Sequence, residues 1–241
     1  MSTNTTEPPA DANIDHDKAL TYWSGVDPDV NGMLGGFPQI SRLDIQGSKN
    51  FIAKLRRDSQ TTGEEFARGV DCGAGIGRIT LSLLSSICKT TDVVEPIAKF
   101  TSHILSDPSF AQLRSDGSIG AVYTQSLESW APPPDVRYDL VWNQWCLGHL
   151  TDAQLVAYLK VCVGALLEGG WVVVKENLST DAGGDDIFDQ VDNSVTRADK
   201  KFRGIFAEAG LRVARTELQK GFPKGLYPVR IYALQPAKGQ R

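Results

Sequence analysis

From Arg68 onward, short β-branched runs alternate with helical patterns, and the first run enters the glycine-rich stretch Asp71-Cys72-Gly73-Ala74-Gly75-Ile76-Gly77-Arg78. That alternation is what most constrains the fold, because it reads as a parallel sheet with helices on its faces. Strands are expected at 69–73, 91–96, 119–125, 138–144 and 171–177, with helices at 79–88, 97–105, 152–167 and 195–209. Thr151 and Gln154 have capping-box spacing, and Gly169-Gly170 is expected to end the helix that they begin. His149 then sits just outside a helix N-terminus. The runs 211–218 and 229–236 are joined by only the ten residues QKGFPKGLYP, too short for a parallel crossover, so they should pair antiparallel.

The chain has 241 residues and can bury one large core, so a single domain is expected over 19–241. Residues 1–18 are polar and acidic-leaning and read as a disordered tail without a signal or transit pattern. Within the domain, 19–60 form an extension: 20–23 and 40–57 look helical and flank the turn-rich NGMLGGFPQ. Net charge is −4 with pI near 5.4, which argues against a surface that coats nucleic acid and favours a cationic partner. Cysteines 72, 88, 146 and 162 form no C-x-x-C pair, so no metal or disulfide framework is expected and reduced intracellular thiols are. No run of 18 apolar residues occurs, and no membrane partner is expected.

The glycines at 73, 75 and 77 occupy a strand-to-helix turn where backbone must approach a ligand closely. Their spacing is G-x-G-x-G, not the G-x-G-x-x-G of a pyrophosphate cradle, and no P-loop ending follows. Arg78 adds a charged donor at the helix start, suited to a compact anion such as an amino-acid carboxylate. Glu95, ending the next strand, offers an acceptor pair to two ribose hydroxyls. Together these indicate a nucleoside-type cofactor. Asp71 has a second reading, a carboxylate that ties down neighbouring amides. Leu127 and Glu128 follow the third strand and Gln144 ends the fourth, at the edge where ligands of such sheets bind.

The stretches YW at 22, NGMLGGF at 31, DCGAGIGRIT at 71, WNQWCLGHLTD at 142, KEN at 175 and DQVDNSVTR at 189 resemble one family. It is the α-N-terminal protein methyltransferases that act on Xaa-Pro-Lys or Xaa-Pro-Arg, and the resemblance covers 22–234. It implies a class I, Rossmann-like methyltransferase fold: a mostly parallel seven-stranded sheet closed by a C-terminal antiparallel hairpin. It also implies S-adenosylmethionine as cofactor, protein N-termini as substrate, a monomer, and residence in cytoplasm or nucleus. Cofactor contacts carry over to Gly73, Arg78, Glu95, Leu127 and Gln144, and position adds Gly75 and Glu128. Glu95 stands where relatives often have Asp, and Glu128 replaces an expected amide.

Substrate contacts carry over to Leu34, Trp145, His149, Asn177, Asp189, Asp192 and Ser194; Trp23 is added as an aromatic wall, and the chemistry falls to Asp192, His149 and Asn177. The residues support this independently. Six acids lie between Glu176 and Asp192 with no Lys or Arg among them, after a strand end at the ligand edge. Trp145, Trp23 and Tyr22 are aromatic walls that suit a proline ring. The substrate's α-amine, with a pKa of about 7.7–8.0, must lose a proton before attack, and Asp192 or His149 could accept it. A purely structural hydrogen-bonding role for His149 is the alternative.

Overall fold

A computed structural model describes residues 8–58, 65–237 and 239 of the chain. Elements in chain order are α1 (His16–Gly25), α2 (Val30–Met33), α3 (Ser41–Asp58), β1 (Phe66–Cys72), α4 (Arg78–Ser82), β2 (Cys88–Val94), α5 (Ala98–Ser106), α6 (Ala111–Ser115) and β3 (Ile119–Tyr123). They continue with β4 (Tyr138–Gln144), α7 (Asp152–Ala165), β5 (Leu166–Asn177), β6 (Ile187–Asp189), β7 (Ser194–Thr196), α8 (Asp199–Glu208), β8 (Leu211–Leu218) and β9 (Val229–Pro236).

Seven strands form one sheet in the order β3-β2-β1-β4-β5-β9-β8. β1 to β5 pair in parallel, and β9 inserts antiparallel between β5 and β8. The expected class I architecture is therefore present, with its strand order reversing between β1 and β4. Ligands of open α/β sheets bind in the crevice at such a reversal. β4 is buried almost throughout, as is the second half of β5, because both faces of the sheet are covered. One face packs against α7 and α8 through Leu155, Leu159, Phe202 and Phe206. The other packs against α3 and α4 through Phe51, Ile52, Leu55, Ile79 and Leu83. The extension thus contributes a layer of the core.

Several local expectations need correction. The helix over 79–88 is only one short turn: Leu83 leaves helical geometry at φ −128°, a 3₁₀ turn follows, and Cys88 already opens β2. The helix beginning at 195 starts instead at Asp199, because Ser194–Thr196 pairs with Ile187–Asp189 as a hairpin. Gly169-Gly170 lies inside β5; α7 ends at Ala165, although its N-terminal capping box forms as expected. Residues 8–18, expected to belong to a disordered tail, are ordered. Residues 10–13 form a 3₁₀ turn, Asp11 accepts from the Asp152 amide at 2.8 Å, and α1 begins at His16. Residues 1–7 of that expected tail lie outside the described residues.

Candidate active site

Strand β1 delivers Asp71 and Cys72 to the crevice, and the glycine turn follows with Gly73, Gly75 and Gly77 all at positive φ. The turn is backed closely. A Cβ at Gly73 would stand 2.3 Å from the Cys146 Cβ, and one at Gly75 would stand 2.6 Å from the Met33 sulfur. Asp71 takes its second reading: its Oδ2 accepts from the Thr80 amide at 2.9 Å and the Thr80 hydroxyl at 2.6 Å. It thereby ties the start of α4 to the end of β1. Burial pushes its carboxyl up to about 6.

Glu95 lies at the end of β2 with each oxygen taking one backbone N–H, from Ile97 to Oε1 and from Gly75 to Oε2, both at 2.8 Å. A carboxylate oxygen carries two acceptor sites, so each keeps one for a ligand hydroxyl. Burial pushes Glu95 up to about 7 while the two amides pull the other way. Arg78 and Gln144 face the same cavity, with Leu127 buried on one wall and Glu128 exposed at its edge. The expected cofactor residues therefore share one cavity: Gly73, Gly75, Arg78, Glu95, Leu127, Glu128 and Gln144 all line it. A nucleoside carrying an amino-acid carboxylate fits this donor and acceptor set: paired acceptors at Glu95, a guanidinium at Arg78, and close backbone at the glycines.

A second cavity abuts the first, and Trp23, Met33, Trp145 and His149 line both. Trp145 is held at φ 54°, a conformation costly for a bulky residue, directly after β4. What keeps it there is local. Its amide donates to the Lys175 carbonyl at 3.1 Å, and the amides of Cys146 and Leu147 both donate to Glu176 Oε1 at 2.9 Å. Burial pushes Glu176 up to about 7. The Arg78 guanidinium lies 5.5 Å from the Trp145 ring centroid.

Trp23 reaches over from α1, where Leu20, Trp23 and Met33 pack on Ile76, Ile97 and Phe100. Its indole N–H donates to His149 Nε2 at 3.0 Å. An imidazole nitrogen that accepts carries no proton, so the neutral ring holds its hydrogen at Nδ1. That Nδ1 is buried, and no described residue makes a well-formed hydrogen bond to it. Burial pushes the His149 pKa down, opposed by the Asp192 carboxylate and the Asn193 backbone.

The second cavity also receives Leu34, Asn177, Asp192 and Ser194. Asp192 stands in the β6–β7 turn, where Asn193 at φ 56° reverses the chain and Asp192 Oδ1 accepts from the Ser194 amide at 3.1 Å. Asp189 does not line this cavity. It is exposed, with its Oδ1 accepting from Val191 N at 2.8 Å. Burial raises the Tyr22 phenol's pKa, and the charges of Asp192 and then Asp189 add to it. Three of the remaining four acids of the 176–192 stretch have local duties. Glu176 braces the Trp145 segment, Asp181 accepts from amides of its own turn, and Asp186 accepts from the Ala198 amide before α8.

Sequence reasoning missed Asp44, Lys175, Met33 and the Phe222, Leu226 and Tyr227 wall from the β8–β9 connection. Asp44 had a legible signal, a carboxylate on the stripe 44, 48, 51, 52 and 55 that α3 buries. Met33 and Lys175 lie within the stretches NGMLGGF and KEN but had no role assigned, and the 222–227 wall had no signal.

A class I sheet whose reversal point carries a glycine turn, an acidic strand end and an arginine, with an acceptor cavity alongside, defines an S-adenosylmethionine-dependent methyltransferase. Residues 11–235 match the family described as AdoMet dependent proline di-methyltransferase, and the chain belongs to it. It is 41% identical to alpha N-terminal protein methyltransferase 1 of Schizosaccharomyces pombe, with 90% of this chain and 94% of that protein covered. It is 38% identical to N-terminal Xaa-Pro-Lys N-methyltransferase 1-A of Xenopus laevis, with the same coverage. A Leishmania major SAM-dependent methyltransferase superposes with a TM-score of 0.80 at 37% identity, covering 91% of this chain and 82% of that one.

Proposed function

We propose that this enzyme methylates the α-amino group of protein N-termini that begin Xaa-Pro-Lys or Xaa-Pro-Arg. The observation that carries the proposal is the shared wall of Trp23, Met33, Trp145 and His149 between the cofactor cavity and a second cavity holding Asn177 and Asp192. The names of the relatives support the substrate class. S-adenosylmethionine supplies an already activated methyl group. The protein's task is then to place a neutral amine in line and exclude water.

Trp145 and Trp23 wall the site for a proline ring, which has no N–H to satisfy. Tyr22 meets Trp23 edge-on, with centroids 5.3 Å apart. Asp192 attracts the cationic terminus and accepts its proton. His149 is not the base in this arrangement, because Nε2 already accepts from Trp23 and Nδ1 carries a hydrogen. It orients substrate as a neutral donor, alongside Asn177. Asp189, exposed outside the cavity, favours the third-residue Lys or Arg through charge. Repeated methylation stops when the nitrogen is full, so an N-terminal proline takes two methyl groups and no more. Four free thiols, all buried, support residence in cytoplasm or nucleus.

The test uses two peptides beginning Ser-Pro-Lys, one with a free amine and one N-acetylated, incubated with enzyme and S-adenosylmethionine and read by mass spectrometry. Methyl gain on the free amine alone is expected. No gain on either peptide, with cofactor still bound, would overturn the substrate assignment.

A further inference from the structure

Asp44 belongs to the extension, yet side chains from the ends of β4 and β5 and from the start of α4 converge on it. Lys175 Nζ lies 2.5 Å from Oδ1, Arg78 Nη1 lies 2.7 Å from Oδ2, and Gln144 Nε2 lies 2.9 Å from both oxygens. Asp44 and Lys175 are completely enclosed. The ammonium's further bonds go to the Asp44 carbonyl at 3.0 Å and the Ser48 hydroxyl at 2.9 Å, so α3 saturates its three hydrogens. Burial lowers the Lys175 pKa and the Asp44 carboxylate opposes this.

The two partners that matter functionally are Arg78 and Gln144, because both line the cofactor cavity. Gln144 is fixed at both ends of its amide, accepting from Trp142 Nε1 at 3.2 Å and donating to Asp44. Arg78 spends Nη1 on Asp44 and, at 3.4 Å, on the Ser41 hydroxyl. Its Nε and Nη2 make no hydrogen bond to a described residue. A guanidinium clamped along one edge is oriented without being used up, and the free donors suit a second carboxylate. The clamp comes from α3, the helix that covers this face of the sheet.

We infer that Asp44 is a positioning residue of the cofactor site: the extension delivers its carboxylate to hold Arg78 and Gln144 ready for the amino-acid end of S-adenosylmethionine, with Lys175 neutralising it. The inference rests on the assignment of Arg78 to the cofactor carboxylate. It predicts that Asp44 matters for the amino-acid end of the ligand and not for the nucleoside end.

Calorimetric binding to the full chain separates the two ends. S-adenosylhomocysteine carries the carboxylate, whereas 5′-methylthioadenosine has the same nucleoside and lacks it. In Asp44→Asn, affinity for the first should fall roughly 10- to 100-fold, the span of one charge-assisted hydrogen bond, while affinity for the second changes less than about threefold. Because Asp44→Asn strands a buried ammonium, Asp44→Asn/Lys175→Met is measured beside it. The double variant should recover thermal stability yet keep the selective loss, and KM for S-adenosylmethionine should rise more than kcat falls. Equal losses for both ligands, or wild-type S-adenosylhomocysteine affinity in the folded double variant, would overturn the inference. If the unaltered enzyme binds both ligands equally, the assignment of Arg78 fails and the inference falls with it.

Discussion

Gly73→Ala should destabilise the enzyme by about 2–5 kcal/mol, from two separable sources. Gly73 has φ 67°, and an L side chain in that region costs roughly 1–2 kcal/mol. The second source is contact. The new Cβ would sit 2.3 Å from the Cys146 Cβ and 2.9 Å from its sulfur. Cys146 cannot simply step aside, because its amide and that of Leu147 are held by Glu176, and Trp145 before it already occupies φ 54°. Overpacking against such a braced segment costs about 1–3 kcal/mol. Urea denaturation measures the total, and a mutant cycle apportions it. Cys146→Gly removes the opposing Cβ and should be about 1–3 kcal/mol less harmful in the Gly73→Ala background than alone. Cys146→Ala keeps that Cβ and removes only the sulfur contact at 2.9 Å, so it should bring clearly less relief. A Gly73→Ala variant within 0.5 kcal/mol of the parent, or a cycle with no coupling, would refute this account of the turn.

Other expectations follow from the acceptor side and the braces around it. Asp192→Asn should lower kcat on a Ser-Pro-Lys peptide by about 10²- to 10⁴-fold, the range of a lost general base, and His149→Gln by less; the reverse ranking in steady-state kinetics would make His149 the base. Trp23→Phe removes the indole N–H that favours neutral His149, so NMR titration should find the imidazole charging at higher pH than in the parent. A fall or no change would discredit the hydrogen bond. Glu176 has its folded pKa raised to about 7, so ionising it costs stability as pH climbs from about 4.5 through 7. Glu176→Gln can keep both amide bonds through its carbonyl oxygen. Its stability relative to the parent should therefore improve by about 2–3 kcal/mol between pH 5 and pH 8 in chemical denaturation, whereas a pH-independent difference would count against a buried ionisation there.

What the sequence determined by itself is what depends on neighbours along the chain. Strand runs of β-branched residues, the Thr151–Gln154 capping box, the glycine turn after β1 and the short link forcing β8 and β9 antiparallel are all local patterns. The order of elements then leaves few topologies, and the crevice falls where β1 and β4 part. For the site, short motifs placed Glu95, Arg78, His149 and Asp192 at strand and turn ends, which the fold brings together. Local pattern failed where pairing overrode it, as at Val195, apolar enough to begin a helix but paired with Phe188 in the β6–β7 hairpin. Tertiary structure alone decided which polar groups meet. Asp44 and Lys175 are 131 residues apart, and Trp23 and His149 are 126 apart. No periodicity encodes such pairs, because burying a charge or an indole N–H demands a partner without specifying where in the chain it lies. That same demand gave Asp71 to Thr80 and Glu176 to the Trp145 segment, and set Asp189 outside the cavity while Asp192 faces into it.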